Sequence, residues 1–268
     1  MKIYEFINKL EMLVPTNLAL SYDNVGLLVG NLESDISGVY ISLDINETII
    51  NKVLEFKINT IITHHPVIFN SIKNLNYSCD NIDIVRCIKH DINVISYHTN
   101  LDMIHNGIND ELINILEFKY DNISVLEKSK IYPNLGIGRI IDLSESLDIN
   151  TIIDKIRKNL YINNMRLVNN RNCKMDRIKR ICIINGSGNS LIKLCYYKNI
   201  DLVITGDITY HTAFEAHKKN LSILDIGHFN SENFAYMNVI KKIFKTLDLD
   251  SSLNIIYDQV LTDVYKYI

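Results

Sequence analysis

Asn59-Thr-Ile-Ile-Thr-His-His-Pro66 is the stretch on which the fold turns. Thr60 to Thr63 are all β-branched, which is the pattern of a strand buried on both faces, and the run stops at two adjacent imidazoles, His64 and His65. The same arrangement occurs twice more. Ile92-Asn-Val-Ile-Ser96 precedes His98 and Asp102, spaced H-x-x-x-D, and Leu221-Ser-Ile-Leu-Asp-Ile226 precedes His228 and Glu232, spaced H-x-x-x-E. In open α/β sheets the carboxyl ends of parallel strands face one crevice, so residues just after strands converge there although distant in sequence. Three such strand ends predict an α/β fold and a convergence of metal-type ligands.

The spacing carries chemistry. Helices starting after the second and third strands place His98 and Asp102 one turn apart on one face, and likewise His228 and Glu232. Taken singly, such a pair is an ordinary surface contact worth roughly 0.2–0.5 kcal/mol. Three groups at three strand ends are not explained by solvated surface. Adjacent histidines at a strand end point in divergent directions, which suits two ions with one imidazole each, and dinuclear hydrolases hold their metals roughly 3.5–4 Å apart. The reading is a two-metal hydrolytic site.

Working outward, Ile3, Phe6, Ile7, Leu10 and Val14 recur at helical spacing until Pro15, predicting an opening amphipathic helix. Tyr22-Asp-Asn-Val-Gly-Leu-Leu-Val-Gly30 follows, its glycines suggesting a strand passing close to another backbone or a turn. Val39-Tyr-Ile-Ser-Leu43 is the next strand, ending at Asp44, and a helix runs from about Glu47 to Phe56. A similar order returns later. Ile181-Cys-Ile-Ile184 ends at Asn185-Gly-Ser-Gly-Asn-Ser190, and an expected helix leads to Asp201-Leu-Val-Ile-Thr205 and Gly206-Asp207. Aligning Thr63 with Thr205 brings Ile41 onto Ile183 without a gap. This reads as an internal duplication with the site between the halves, set against the ordinary repetitiveness of strand–helix alternation. The first repeat covers 1–120, a connecting α/β segment 121–180, with a strand at Gly136–Ile141 and a helix from Asn150, its cap, to Leu160, and the second repeat 181–268.

Composition bounds the rest. The 268 residues are 47% hydrophobic and 22% charged, ordinary for a globular chain able to bury a large core. The N-terminus has Glu5 and Glu11 and no continuous apolar core, so no signal peptide is expected, and no apolar run is long enough for a membrane span. Cysteines at 79, 87, 173, 182 and 195 include no C-x-x-C and read as reduced structural thiols of a cytoplasmic protein. A net charge of −3 argues against a dedicated nucleic-acid binder. One basic stretch stands out: Lys155, Arg157, Lys158, Arg166, Arg171, Lys174, Arg177, Lys179 and Arg180 against Asp176 alone. It is a solvated face and loop or a polyanion contact.

Other candidates are weaker. The Gly186-Ser-Gly-Asn-Ser190 loop is either a tight β–α turn or a presenter of backbone N–H groups to phosphate, and it lacks the Walker lysine and G-x-G-x-x-G. His211 is either a proton-handling, substrate-facing group or a structural histidine. His90, His105 and His217 have no constellation around them. There is no G-x-S-x-G elbow, no H-E-x-x-H, and no cysteine at a polar strand end.

These motifs together resemble the GTP cyclohydrolase I type 2 homologue family, the NGG-one-interacting-factor-three-like dinuclear metal proteins. The resemblance covers nearly the whole chain: Pro15 through Tyr22–Gly30, Ile61–Pro66, His98-Thr-Asn-Leu-Asp102 with Gly107–Asp110, Gly186–Gly188, Thr205-Gly-Asp207 with Tyr210-His211, and Gly227–Glu232. Carried over by position, it implies metal ligands at His64, His65, Asp102, His228 and Glu232, with His98 supporting a ligand from behind or transferring protons. It also implies two intertwined α/β repeats with mixed sheets and a toroidal homohexamer. Tyr22, Phe69 and Phe229 stand where the family usually has Trp, Trp and Tyr.

Two divalent ions outweigh the charges of Asp102 and Glu232, so an anionic, phosphate-bearing substrate fits, and mixed His and carboxylate ligands suit Zn, Mn, Fe, Co or Ni. The resemblance implies GTP, with hydroxide attack at purine C8 and release of formate. The alternatives are a metal hydrolase of another phosphorylated compound and a non-catalytic metal-stabilised scaffold.

Overall fold

The computed structural model describes residues 1–77, 81–169 and 175–266. In chain order the elements are α1 (Ile3–Glu11), β1 (Gly26–Val29), β2 (Gly38–Ser42), α2 (Glu47–Glu55), β3 (Thr60–Thr63), α3 (Ile82–Lys89), β4 (Asn93–Ser96), α4 (Thr99–Met103) and α5 (Ile108–Ile115). They continue with β5 (Tyr120–Lys128), β6 (Gly136–Leu147), α6 (Ile149–Leu160), β7 (Arg166–Val168), β8 (Ile178–Ser187) and α7 (Ile192–Cys195). The last are β9 (Leu202–Gly206), α8 (Tyr210–Lys218), β10 (Ser222–Asp225), α9 (His228–Thr246) and β11 (Asn254–Tyr257). The fold is mixed α/β with two mixed sheets. Two compact units are present: Met1–Leu101 with Ile240–Thr262, and Asp102–Val239 with the residues from Asp263.

The first unit holds a five-stranded sheet in the order β1-β4-β3-β2-β11. The last four of these are parallel and β1 pairs antiparallel on the edge. Every residue of β2, β3 and β4 is buried, as the β-branched runs require when both faces of a parallel sheet are covered. Ile49, Ile50 and Val53 of α2 and Ile84 and Cys87 of α3 join Tyr40, Ile61 and Val94 in one core. Each of the large aliphatic side chains contributes roughly 1.5–3 kcal/mol. Asn46 caps α2 by accepting from Ile49 N–H at 3.0 Å. Gly30 meets the expectation of close approach: its φ is +127°, and a Cβ there would lie 2.2 Å from Asn93 Oδ1.

The second unit holds a six-stranded sheet in the order β5-β6-β8-β9-β10-β7. β8, β9 and β10 are parallel, flanked by antiparallel β6 with β5 on one side and antiparallel β7 on the other. The strands and helix of residues 121–180 therefore build the same sheet as the later strands. α6 buries Ile152, Ile156 and Leu160 at helical spacing. Its cap is Asp148, not Asn150: the Asp148 carboxylate accepts from the backbone N–H groups of Asn150 and Thr151, and a carboxylate at a helix N-terminus also meets the positive end of the dipole.

The two parallel cores share a register. Ile41 lies opposite Ile62 and Thr63 opposite Ser96 in one sheet, and Ile183 lies opposite Ile204 and Thr205 opposite Asp225 in the other. The gapless alignment of Thr63 with Thr205 thus has a counterpart in each sheet's pairing.

Of the seven described residues of the basic stretch, five are engaged within their own unit, Lys155 among them through Glu117 O at 3.4 Å. Arg166 pairs with Asp225, Arg180 with Asp142 at 2.7 Å, Arg157 with Asp154 at 3.5 Å, and Lys179 Nζ donates to Ser144 O at 2.9 Å. These contacts fit the solvated-face reading. Arg171 and Lys174, like Cys79 and Cys173, lie outside the described residues. Cys87, Cys182 and Cys195 are free and buried, and burial pushes the Cys87 thiol up to about 12, which leaves no thiolate nucleophile there. No helix among the described residues is long and apolar enough to cross a membrane.

Candidate metal centre

In the first unit the end of β3 places the paired histidines. The backbone N–H groups of His64 and His65 both donate to Leu43 O, at 3.2 and 3.0 Å, which locks the pair against the end of β2. His98 follows β4, and the Tyr97 N–H just past that strand donates to Thr63 O at 3.0 Å. Two neighbouring strand ends therefore bring three imidazoles together: the ring centroids of His64, His65 and His98 are 5.1 to 5.7 Å apart. One ligating atom from each lies within 4.8 Å of the others, with His64 fully buried.

Each ring is held from behind. His64 Nδ1 faces Tyr97 O at 2.9 Å, His65 Nδ1 faces Asp44 Oδ1 at 2.7 Å, and His98 Nδ1 faces Asp23 Oδ1 at 2.8 Å. All three partners accept, so Nδ1 carries the hydrogen, and in the neutral ring Nε2 is then the nitrogen left to bind a metal. Thr99 donates to Asp23 through both its backbone N–H and its hydroxyl. Burial works against ionisation of Asp23, but the hydrogen bond from His98, the charge His98 carries when its Nε2 is also protonated, and the bonds from Thr99 outweigh it and hold the carboxyl down to about 2. Two exposed aromatic rings flank this group: Phe69 is 6.3 Å from His98, and Tyr22 is 6.5 Å from Phe69.

In the second unit His228 is the first residue of α9, and Glu232 lies one turn on, as the spacing predicts. His228 Nε2 is 3.0 Å from Glu232 Oε2, and its Nδ1 faces Asp207 Oδ2 at 2.8 Å. Asp102 and Glu232 are buried carboxylates. The Asn185 amide reaches both, at 2.9 Å to Asp102 Oδ1 and 3.3 Å to Glu232 Oε1. Gly186, with φ +58°, abuts the same carboxylate: a Cβ there would be 2.0 Å from Glu232 Oε1 and 3.3 Å from His228 Nε2. Imidazoles aimed through Nε2 and buried carboxylates are a donor set that fits divalent transition metals.

The Duf34/NIF3 (NGG1p interacting factor 3) sequence profile matches residues 1–263. The chain belongs to this family. Two DUF34/NIF3 relatives are named GTP cyclohydrolase 1 type 2 homolog. That of Clostridium perfringens is 36% identical over 271 residues, covering 100% of both chains. That of Campylobacter jejuni is 37% identical over 251 residues, covering 93% of this chain and 94% of its own. The crystal structure of Staphylococcus aureus hypothetical protein SA1388 has the same fold, with a TM-score of 0.86 at 26% identity, covering 100% of this chain and 99% of that one.

For this DUF34/NIF3 chain, sequence reasoning did not single out Asp23, Asp44, Asp207 or Asn185 as site residues. Asp44 and Asp207 follow the ends of β2 and β9, so the strand-end rule that picked the histidines would have found them. His211 sits exposed on the first turn of α8 beside Tyr210, outside the imidazole and carboxylate groups just described. Of the two readings of Gly186–Ser190, the contacts of its glycines fit the tight β–α turn. Gly186 N–H donates to Ser231 Oγ at 2.8 Å and Gly188 N–H points at Gly206 O at 3.4 Å, so these donors are occupied. The helix that follows, α7, has four residues and little dipole to offer an anion.

Proposed function

We propose that the protein is a divalent-metal-dependent hydrolase acting on a phosphorylated, nucleotide-like substrate, with GTP the first compound to try. Its ligands are His64, His65, Asp102, His228 and Glu232, and it takes two ions per chain from among Zn, Mn, Fe, Co and Ni. The observation that carries the reading is the common mounting of the histidines: His65, His98 and His228 each have a carboxylate behind Nδ1, and His64 a carbonyl. Ions bound there supply positive charge that draws an anion and lowers the pKa of a coordinated water.

The chain's own groups then have distinct tasks. His98, with Asp23 behind it, takes and returns a proton; His211 is the second candidate for proton transfer. Tyr22 and Phe69, exposed beside His98, offer a planar base a stacking surface. On the cyclohydrolase reading the imidazole ring of the purine opens at C8, two waters are consumed, and C8 leaves as formate. The names of the family relatives support GTP.

A screen of nucleotides and phosphoesters against metal-loaded protein tests this. Formate release from GTP supports cyclohydrolase action, phosphoester turnover without formate moves the reading to another metal hydrolase, and no turnover joined to a coordinatively closed metal site favours a metal-stabilised scaffold. The reading also takes the chain as a cytoplasmic homo-oligomer, a toroidal hexamer by family resemblance. Light scattering at low protein concentration is expected to give the hexamer mass, and a stable monomer would contradict it.

A further inference from the structure

We propose that Asn185 is a positioning residue that holds the two buried carboxylates of the centre in register for metal binding, an inference that rests on the metal-dependent reading above. Asn185 lies near the end of β8 and is 7% exposed. Its Nδ2 faces only carboxylate oxygens, Asp102 Oδ1 at 2.9 Å and Glu232 Oε1 at 3.3 Å, so one amide group bridges two like charges that approach from different segments of the chain. The –NH₂ has two hydrogens, one for each oxygen.

The bridge itself is anchored. Asn185 N–H donates to Asn109 Oδ1 at 3.0 Å, and Asn109 Nδ2 points at the backbone oxygen of Asp102 at 3.4 Å. On the other side Gly186 N–H donates to Ser231 Oγ at 2.8 Å, directly before Glu232 in the chain. The backbone of β8 is thereby fixed to the segments that carry both acids. The amide also sorts the oxygens: it takes Glu232 Oε1, while Oε2 is the atom 3.0 Å from His228 Nε2. A ligating carboxylate turned away from its ion loses affinity, and hydrogen bonds of this kind set its direction.

The experiment compares Co(II) binding, by titration and visible absorption, in wild type, Asn185→Ala and Asn185→Asp, with thermal unfolding of the metal-free proteins alongside. Asn185→Ala is expected to weaken Co(II) binding about 10–100-fold and to change the absorption band. Asn185→Asp keeps the shape but replaces the donor with a third acceptor, so the band is expected to change here too. Thermal unfolding of the metal-free proteins separates this from lost packing or buried-charge repulsion: a changed band in a variant whose metal-free Tm stays near wild type leaves the lost donor as the cause. Wild-type affinity and spectrum in Asn185→Asp, or in a folded Asn185→Ala, would overturn the assignment; if the alanine variant does not fold, the aspartate variant decides. Absence of Co(II) uptake by wild type would overturn the metal reading and this inference together, whereas uptake by wild type with silent variants overturns this inference alone.

Discussion

Asp102→Ala and Glu232→Ala are each expected to reduce turnover in the nucleotide screen by well over the roughly 10–100-fold that follows loss of an outer-shell partner. The reason is electrostatic as well as geometric. Both carboxylates are buried, so each is a negative charge that stays in a poorly solvated place because a donor or a cation compensates it. Deleting one removes a proposed ligand and one of the two buried carboxylates assigned to the centre. The Asn185 amide then loses one of its two acceptors, which disturbs the remaining acid as well. Formate release from GTP, measured with matched metal loading, checks this. Activity within a few-fold of wild type in both variants would remove these residues from the reaction.

Gly186→Ala is expected to disable the centre without replacing any of the proposed ligands. The substituted residue would sit at φ +58°, where side chains other than glycine are strained, and its Cβ would fall 2.0 Å from Glu232 Oε1. Glu232 must move, and with it the atom facing His228. Backbone strain and overpacking together cost roughly 2–5 kcal/mol, which for a chain of this size is a fall in Tm of about 5–15 °C. Metal affinity should fall as well, because the displaced group is one of the proposed ligands. A differential scan and a Co(II) titration on the same preparation read both. An unchanged Tm with unchanged Co(II) affinity would show that the glycine's close approach to Glu232 does not matter.

The parts of the fold readable in the chain were those with a local cause. Thr60–Thr63, Asn93–Ser96 and Ser222–Asp225 are wholly buried strands, and burial on both faces permits little beyond β-branched, apolar and small side chains, so the runs stand out. The histidines stand out because polar groups end those runs. What the chain hid is long-range. Asp23 meets His98 across 75 positions with no periodicity to mark it, and although Asp44 and Asp207 stand just past strand ends, nothing in the spacing tells which imidazole each meets 21 positions on. Asn185 was hidden differently: asparagine is abundant in this sequence, so one more at a strand end carries little signal until two carboxylates are seen around it. The four-residue α7 and the occupied N–H groups of Gly186 and Gly188 show the limit of a glycine motif, since spacing alone does not reveal which donors the fold already uses.

Metal content of carefully purified protein tests the central claim most directly. Elemental analysis is expected to find up to two transition-metal ions per chain in wild type and the loss of at least one in His65→Ala. Unchanged metal content in both His64→Ala and His228→Ala would contradict it.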